Sequence, residues 1–358
     1  MGRECACKAI NRPNWKAPTM PDLVTGGAGF IGNHLVDRLL QDGRDVRVID
    51  NFSVGRRANL EHHRGNPALE IIECDVADKT TVSSLSRGID RIFHLAARAD
   101  VVPSIQEPEA YFRANVDGTF SVLEAARTHD VKRVVYVASS SCYGVPETYP
   151  TPETTAADPR YPYALTKYLG EQLAMHWASV YSLPCASVRF FNVYGPRART
   201  SGTYGAVFGV FLAQLLAGKE LTIVGDGEQT RDFTFVSDVV DALVTVAASD
   251  KVGEIYNVGS GRPVSVNELV RLLGSPPSVN IPKRPGEPDC TWADITKISN
   301  ELGWKPKVPL SEGVKVMLEN MDYWRDAPVW TADTIKDATA DWFKFLGPTA
   351  DKQETSVL

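Results

Sequence analysis

The eight residues TGGAGFIG, running from Thr25 to Gly32, constrain this chain more than any other stretch. They follow the apolar run DLV and open into FIGNHLVDRLLQDG, an amphipathic segment that reads as a helix closing on Gly43. A strand, a glycine turn and a helix in that order leave few folds open. Gly26, Gly29 and Gly32 permit a tight turn, bring backbone close to an anion, and let the helix pack on its strand. The helix start then presents free N–H groups and the positive end of its dipole, a seat for a pyrophosphate. The next strand, DVRVID, ends at Asp50. A carboxylate there accepts from both hydroxyls of an adenosine ribose and repels a 2′-phosphate, so NAD is expected rather than NADP.

The same rhythm continues. LEIIECDV and DRIFHLAA read as strands, and NVDGTFSVLEAARTHD as a helix with its apolar face at Val116, Phe120, Leu123 and Ala126. VKRVVYVASS is a strand, YALTKYLGEQLAMHWASVYS a long helix, and PCASVRFFNVYG a further strand. Strands that are apolar throughout and alternate with helices make a parallel sheet covered on both faces, an α/β doubly wound Rossmann arrangement. Past Gly195, Pro and Gly accumulate in GPRARTSGTYG, GSPPSVNIPKRPGEP and GWKPKVPLSEG, and the elements shorten. The expected division is a leader at 1–19, an NAD-binding domain at 20–195, a smaller interleaved substrate lobe at 196–330, and a terminal helix and tail at 331–358. That helix, WTADTIKDATADWFKFLG, carries Ile335, Ala338, Trp342 and Phe345 on one face, a packing stripe.

Composition removes other classes. Lys and Arg number 38 against 44 Asp and Glu, a net charge of −6, which gives no nucleic-acid-binding surface. The six cysteines (Cys5, Cys7, Cys74, Cys142, Cys185, Cys290) are scattered, most of them in apolar runs. Reduced thiols in a cytoplasmic protein are expected, not a disulfide frame. Cys5 and Cys7 form a lone CxC with no matching second pair, so no metal is expected. The first 19 residues lack a long apolar core and read as a disordered or non-native leader, not a secretory signal. GPTADKQETSVL reads as a frayed tail, and no stretch approaches 18 apolar residues.

Chemistry concentrates in two stretches. YALTK places Tyr163 and Lys167 four apart, on one helix face. The ammonium and a nicotinamide's positive charge would both lower the phenol's pKa and prepare a base. YVASSSCYG ends a buried strand on the hydroxyls of Ser139, Ser140 and Ser141. Two further strand ends suit a dinucleotide: Asp75 and Val76 beside an adenine, and Ala96 and Ala97 where backbone must come close.

Seven motifs in order, TGGAGFIG, HLAA, the Ser-rich run ending in YG, YALTK, RFFNVYG, GDGEQTRDF and RPGEPDCTWAD, resemble the extended short-chain dehydrogenase/reductase family. Within it the chain is most similar, over residues 22 to 325, to the nucleotide-sugar epimerases typified by UDP-glucose 4-epimerase. The resemblance implies a tightly held NAD, with Phe30, Ile31, Asn51 and Asn115 joining the cofactor shell, and Tyr163 and Lys167 touching it as well. It makes Tyr163 the base that takes a sugar hydroxyl proton. Ser139 would steady the keto intermediate, and Lys167 would grip the nicotinamide ribose.

Substrate contacts implied in the same way are Ser104, Ser140, Ser141, Asn192, Val207, Arg231, Arg284 and Thr291, the two arginines on the diphosphate. The family's 4,6-dehydratases carry an Asp and a Glu where Ser140 and Ser141 stand, and its UDP-glucuronate decarboxylases usually carry a Glu at Ser141. Dehydration is thereby disfavoured strongly and decarboxylation moderately. Thr291 occupies a gate that a Tyr narrows to plain hexoses, so an N-acetylated hexose is admitted. The expected activity is 4-epimerisation of a UDP-hexose or UDP-N-acetylhexosamine; decarboxylation of UDP-glucuronate, or another reaction on a GDP-, TDP- or CDP-sugar, is the alternative. A non-catalytic NAD sensor is disfavoured because Ser139, Tyr163 and Lys167 are all present. A homodimer through a four-helix bundle is implied as well.

Overall fold

The computed structural model describes residues 21–198 and 206–347. Cys5, Cys7, the leader before residue 20 and the tail from 348 lie outside the described residues. The strands are β1 (Asp22–Thr25), β2 (Val46–Asp50), β3 (Leu69–Glu73), β4 (Arg91–His94), β5 (Arg133–Ser139), β6 (Cys185–Phe190) and β7 (Asn192–Tyr194). They continue as β8 (Leu221–Val224), β9 (Thr230–Arg231), β10 (Phe233–Phe235), β11 (Ile255–Val258), β12 (Val264–Ser265) and β13 (Ser278–Ile281).

Seven of these strands form one parallel sheet in the order β11-β6-β5-β4-β1-β2-β3. The chain starts in the middle and moves outward to one edge through β2 and β3. It then crosses back over β1 to build the other half, the doubly wound topology that opens a crevice at the reversal. Apolar residues fill both faces. Leu35, Val36, Leu39, Val239, Leu243 and Val246 pack on one. Val122, Leu123, Ala126, Ala174, Trp177 and Ala178 pack on the other. The helix Gly118–Thr128 puts Leu123 and Ala126 inside as its periodicity predicts, and Phe120 meets Trp177 edge to face at 5.7 Å.

The strand predicted as PCASVRFFNVYG is divided between two sheets. Its first half, β6, stays in the large sheet, and Phe191 N donates to Val258 O at its end. Asn192 N then turns to Asp232 O, and β7 pairs with β10 in the second lobe. That lobe holds two more small pairs, β8 with β13 and β9 with β12, around a core of Tyr194, Phe211, Phe233, Leu269 and Trp324. β11 returns from the lobe to the edge of the large sheet, so the two halves interleave.

The single terminal helix expected from the sequence is two, Ala332–Ala338 and Ala340–Leu346. Thr339 breaks it: the residue is buried, and its hydroxyl donates to Ile335 O at 2.8 Å while its backbone leaves the helical region. Ile335 and Trp342 are packed, but Phe345 is 52 % exposed and falls off the predicted stripe. Among the described residues no helix is long and apolar enough to cross a membrane.

Candidate active site

A cleft of about 730 Å³ lies between the lobes at the C-terminal ends of the central strands. Seven Lys and Arg side chains line it against four Asp and Glu. In a chain of net negative charge, that local excess marks an anionic ligand.

One end of the cleft is the glycine turn. Gly26 has φ +72°, and a Cβ on it would stand 2.8 Å from Ala96 Cα, so this turn requires glycine. Gly29 is the N-cap of the helix Phe30–Gln41 and has no side chain to occupy the first N–H groups. Asp50 closes the site at the end of β2. Its carboxylate is buried and accepts from Ala28 N at 3.0 Å and Phe52 N at 2.8 Å. Burial pushes its pKa up, and the two amide donors pull back. A Cβ on Gly55 would come within 2.7 Å of Asp50 Oδ2. Bare amides, a cradle kept free of Cβ atoms and a carboxylate held by backbone fit the pyrophosphate and ribose of NAD. Asn51, Asp75, Val76, Ala96 and Ala97 line the same end.

In the middle, β5 delivers Ser139, and the helix Pro162–Tyr181 delivers Tyr163 and Lys167 from its first turns. Ser139 caps the short turn Ser140–Tyr143, accepting from Ser141 N at 3.2 Å and Ser141 Oγ at 2.8 Å. The Ser139 hydroxyl faces the Tyr163 phenol and favours its charged form. Lys167 Nζ sits 4.6 Å from the centre of the Tyr136 ring, fully buried, and burial pushes its pKa down to about 7. Burial pushes Tyr163 up, and Ser139 is the group that opposes it. Burial thus disfavours the ammonium form of Lys167.

Behind this pair Glu171, one turn past Lys167, takes Arg189 at 2.5 Å and Ser187 at 2.9 Å with almost no solvent contact. The ion pair ties the helix Pro162–Tyr181 to β6. His94, buried under the site, spans Thr25 Oγ1 at 2.7 Å and Thr119 Oγ1 at 3.0 Å, and burial holds its pKa down near 3.

The second lobe closes the other end with Asn192, Val207, Arg231, Arg284 and Thr291. Thr291 Oγ1 donates to Asn192 Oδ1 at 2.7 Å. One carboxylate, Glu287, holds both guanidinium groups, Arg231 at 2.8 Å and Arg284 at 2.9 Å. Two forks braced on a single acid in this way present a positive surface to a diphosphate.

Most of the residues singled out from the sequence therefore meet in one cleft: Gly26, Gly29, Phe30, Ile31, Gly32, Ser139, Ser140, Ser141, Tyr163 and Lys167 all line it. Two do not. Ser104 is fully buried and spends its hydroxyl on Val101 O at 2.6 Å. Asn115 is turned inward to Arg98 N, Arg98 O and Thr166 Oγ1, where it braces the cleft wall. Glu287, Tyr161 and Trp342 also line the cleft and went unrecognised. Glu287 alone left a signal, its spacing of three from Arg284. One His/Asp cluster with metal-ligand character occurs among the described residues, Asp37, His62 and His63. The Arg197 guanidinium already sits on Asp37 and donates to His34 Nδ1 at 2.9 Å, so a cation fills it.

Comparison with known proteins agrees with this geometry. A family model described as the NAD dependent epimerase/dehydratase family matches residues 23–259. The UDP-glucose 4-epimerase of Mycolicibacterium smegmatis is 39% identical over 307 residues, 84% of this chain and 98% of that protein. UDP-glucuronic acid decarboxylase 2 of Arabidopsis thaliana is 36% identical over 308 residues, 83% of this chain and 67% of that protein. The crystal structure of UDP-glucose 4-epimerase from Thermotoga maritima, solved with UDP-glucose, superposes with a TM-score of 0.79 at 36% identity. That match covers 86% of this chain and 99% of the other.

Proposed function

The chain belongs to the NAD-dependent epimerase/dehydratase family, and on that footing we propose that it is an NAD-dependent nucleotide-sugar epimerase. The preferred substrate is a UDP-hexose or UDP-N-acetylhexosamine, inverted at C4 through a transient 4-keto sugar. One observation carries the reading: a single cleft holds the glycine turn and Asp50 at one end, Ser139, Tyr163 and Lys167 in the middle, and Arg231 and Arg284 at the other.

When bound, NAD would supply reversible hydride acceptance at the sugar carbon, with no net oxidation. Gly26, Gly29, Gly32 and Asp50 are the residues that would hold it. Tyr163 takes the proton of the sugar hydroxyl, with Ser139 hydrogen-bonded to the same oxygen. Lys167 keeps the cofactor ribose and the phenol in register. Ser140, Ser141, Asn192, Val207 and Thr291 surround the sugar, and the arginine pair anchors the diphosphate. The small side chain at Thr291 supports admitting a 2-acetamido group. We assign 20–195 to the cofactor lobe and 196–330 mainly to the substrate lobe.

The likeness to a decarboxylase favours UDP-glucuronate decarboxylation as the second reading, and Ser141, where that chemistry calls for an acid, weighs against it. Proton NMR separates the two. With NAD present, slow conversion of UDP-glucose or UDP-N-acetylglucosamine to a mixture of epimers without NADH supports epimerisation. Carbon dioxide and a pentose product from UDP-glucuronate would replace it with decarboxylation. Four described cysteines are free thiols, three of them buried, which supports a cytoplasmic setting. A homodimer built through the catalytic helix completes the proposal.

A further inference from the structure

We propose that Trp342 is a specificity-determining residue for the sugar, and that the C-terminal helical pair serves to hold it at the cleft. The proposal rests on the nucleotide-sugar reading and names one wall of its pocket. Nothing in the motifs of the chain calls for it, because Trp342 lies 179 positions beyond Tyr163 and outside the family match.

Trp342 lines the same cleft as Ser139, Tyr163, Arg284 and Thr291. Its Nε1 donates to Pro285 O at 2.8 Å, which fixes the indole against the loop carrying the arginine. The Arg284 guanidinium lies over that indole, 5.2 Å from the ring centre, close enough for a cation–π contact that aims the fork. On its other side Trp342 meets Tyr161 at 6.1 Å. Tyr161 in turn lies nearly parallel to Tyr163, 13° apart in plane at 6.4 Å. An aromatic wall therefore runs from the phenol assigned to catalysis to the guanidinium assigned to the diphosphate. The sugar must lie between those two groups. A pyranose has apolar C–H faces, and flat aromatic rings are the surfaces that bury them without losing a hydrogen bond.

The element carrying Trp342 is fastened to both lobes. Gln106 Nε2, on the side of the large sheet, donates to Asp341 Oδ2 at 2.7 Å. Ile335 is buried with Val224 and Ile281 of the second lobe. A strap fixed on both sides of a cleft sets its width, so Trp342 sets the space left for the sugar.

The test compares wild type with Trp342→Ala, Trp342→Phe and the control Phe345→Ala, a half-exposed residue on the same helix. UDP-glucose and UDP-N-acetylglucosamine are the probes, with bound NAD and melting temperature measured alongside. Trp342→Ala is expected to raise KM about tenfold or more with kcat changed less than about threefold, as loss of an aromatic anchor does. The ratio of kcat/KM for the two sugars should shift, bound NAD should stay at wild-type level, and Phe345→Ala should match wild type. Trp342→Phe, which keeps a ring and loses the donor, should fall between and carries the test where the alanine variant does not fold. An unchanged KM and sugar ratio with only a lower melting temperature would overturn the proposal. Wild type that turns over neither sugar would sink the epimerase reading instead. Calorimetric titration of the same two sugars into NAD-loaded wild type and Trp342→Phe then decides the inference alone: weaker binding to the variant supports it, and equal binding or no binding overturns it.

Discussion

Burial works against the role assigned to Tyr163, and this makes the residue informative. Its pKa is pushed up and that of Lys167 down to about 7, both chiefly by burial. A positive ring beside the phenol would draw its pKa back down, and a ribose hydroxyl accepting from the amine would favour the ammonium form of Lys167. Tyr163→Phe removes only the hydroxyl. Turnover should fall about 10²- to 10⁴-fold while bound NAD, read from absorbance after denaturation, stays at wild-type level. A variant that keeps most of its activity would remove Tyr163 from the mechanism. His94 gives a prediction of a different kind. Held near 3 in the fold against 6.5 unfolded, it lets the unfolded chain take up a proton first as pH drops. Its contribution is complete above about pH 6.5 and drains towards pH 3, reaching a loss of about 2 kcal/mol at pH 5. Urea unfolding at pH 7 and pH 5 should show His94→Gln losing less between the two than wild type does, by roughly that amount.

At the scale of elements, the helix Pro162–Tyr181 matters most, because it carries Tyr163 and Lys167 and is keyed to β6 by the Glu171–Arg189 pair. Glu171→Ala strands a guanidinium that is 4 % exposed, and about 3–5 kcal/mol of stability should go with it. Replacing the two together, Glu171→Leu with Arg189→Met, should cost clearly less, since no lone charge remains; denaturant titration of the three proteins reads the difference. A double variant worse than the single one would mean that the pair contributes more than charge balance.

The same helix shows what a sequence can disclose. YALTK is legible because four residues make one helical turn, and TGGAGFIG because backbone geometry demands glycine within eight positions. Asp50 follows at the next strand end. These are local rules. Asn115 sits on the helical approach to the cleft, yet its amide turns inward to Arg98 and Thr166, a choice made by packing partners distant in the chain. Trp342 and Tyr161 meet across 181 positions, and no spacing announces such a contact. The division of PCASVRFFNVYG between two sheets was hidden for a like reason, since either sheet accepts its apolar residues.

For the whole molecule, the pairing implied between two copies runs through the helix Pro162–Tyr181 and the helical run that passes from Pro108–Phe112 into Gly118–Thr128. Phe112, Leu165, Val180 and Tyr181 on these helices are each more than two-fifths exposed. Scattered exposed apolar residues are ordinary, but four of this size on neighbouring helices argue for a covered face. The pairing proposed, two helices from each of two copies, would bury roughly 800 Å² per partner, the usual scale of a stable interface. Light scattering on wild type should then return twice the chain mass of 39.2 kDa. Phe112→Glu together with Leu165→Glu places like charges across the two-fold axis and should return the single mass. Leu165 is two residues from Tyr163, so a seam placed there would also buttress the turn that positions the phenol. The monomeric variant should therefore keep its NAD yet lose part of kcat, in step with the lost mass as protein is diluted. A wild type of single mass at tens of micromolar would remove the dimer. A monomeric variant of full kcat would leave the dimer and cut its tie to the active site.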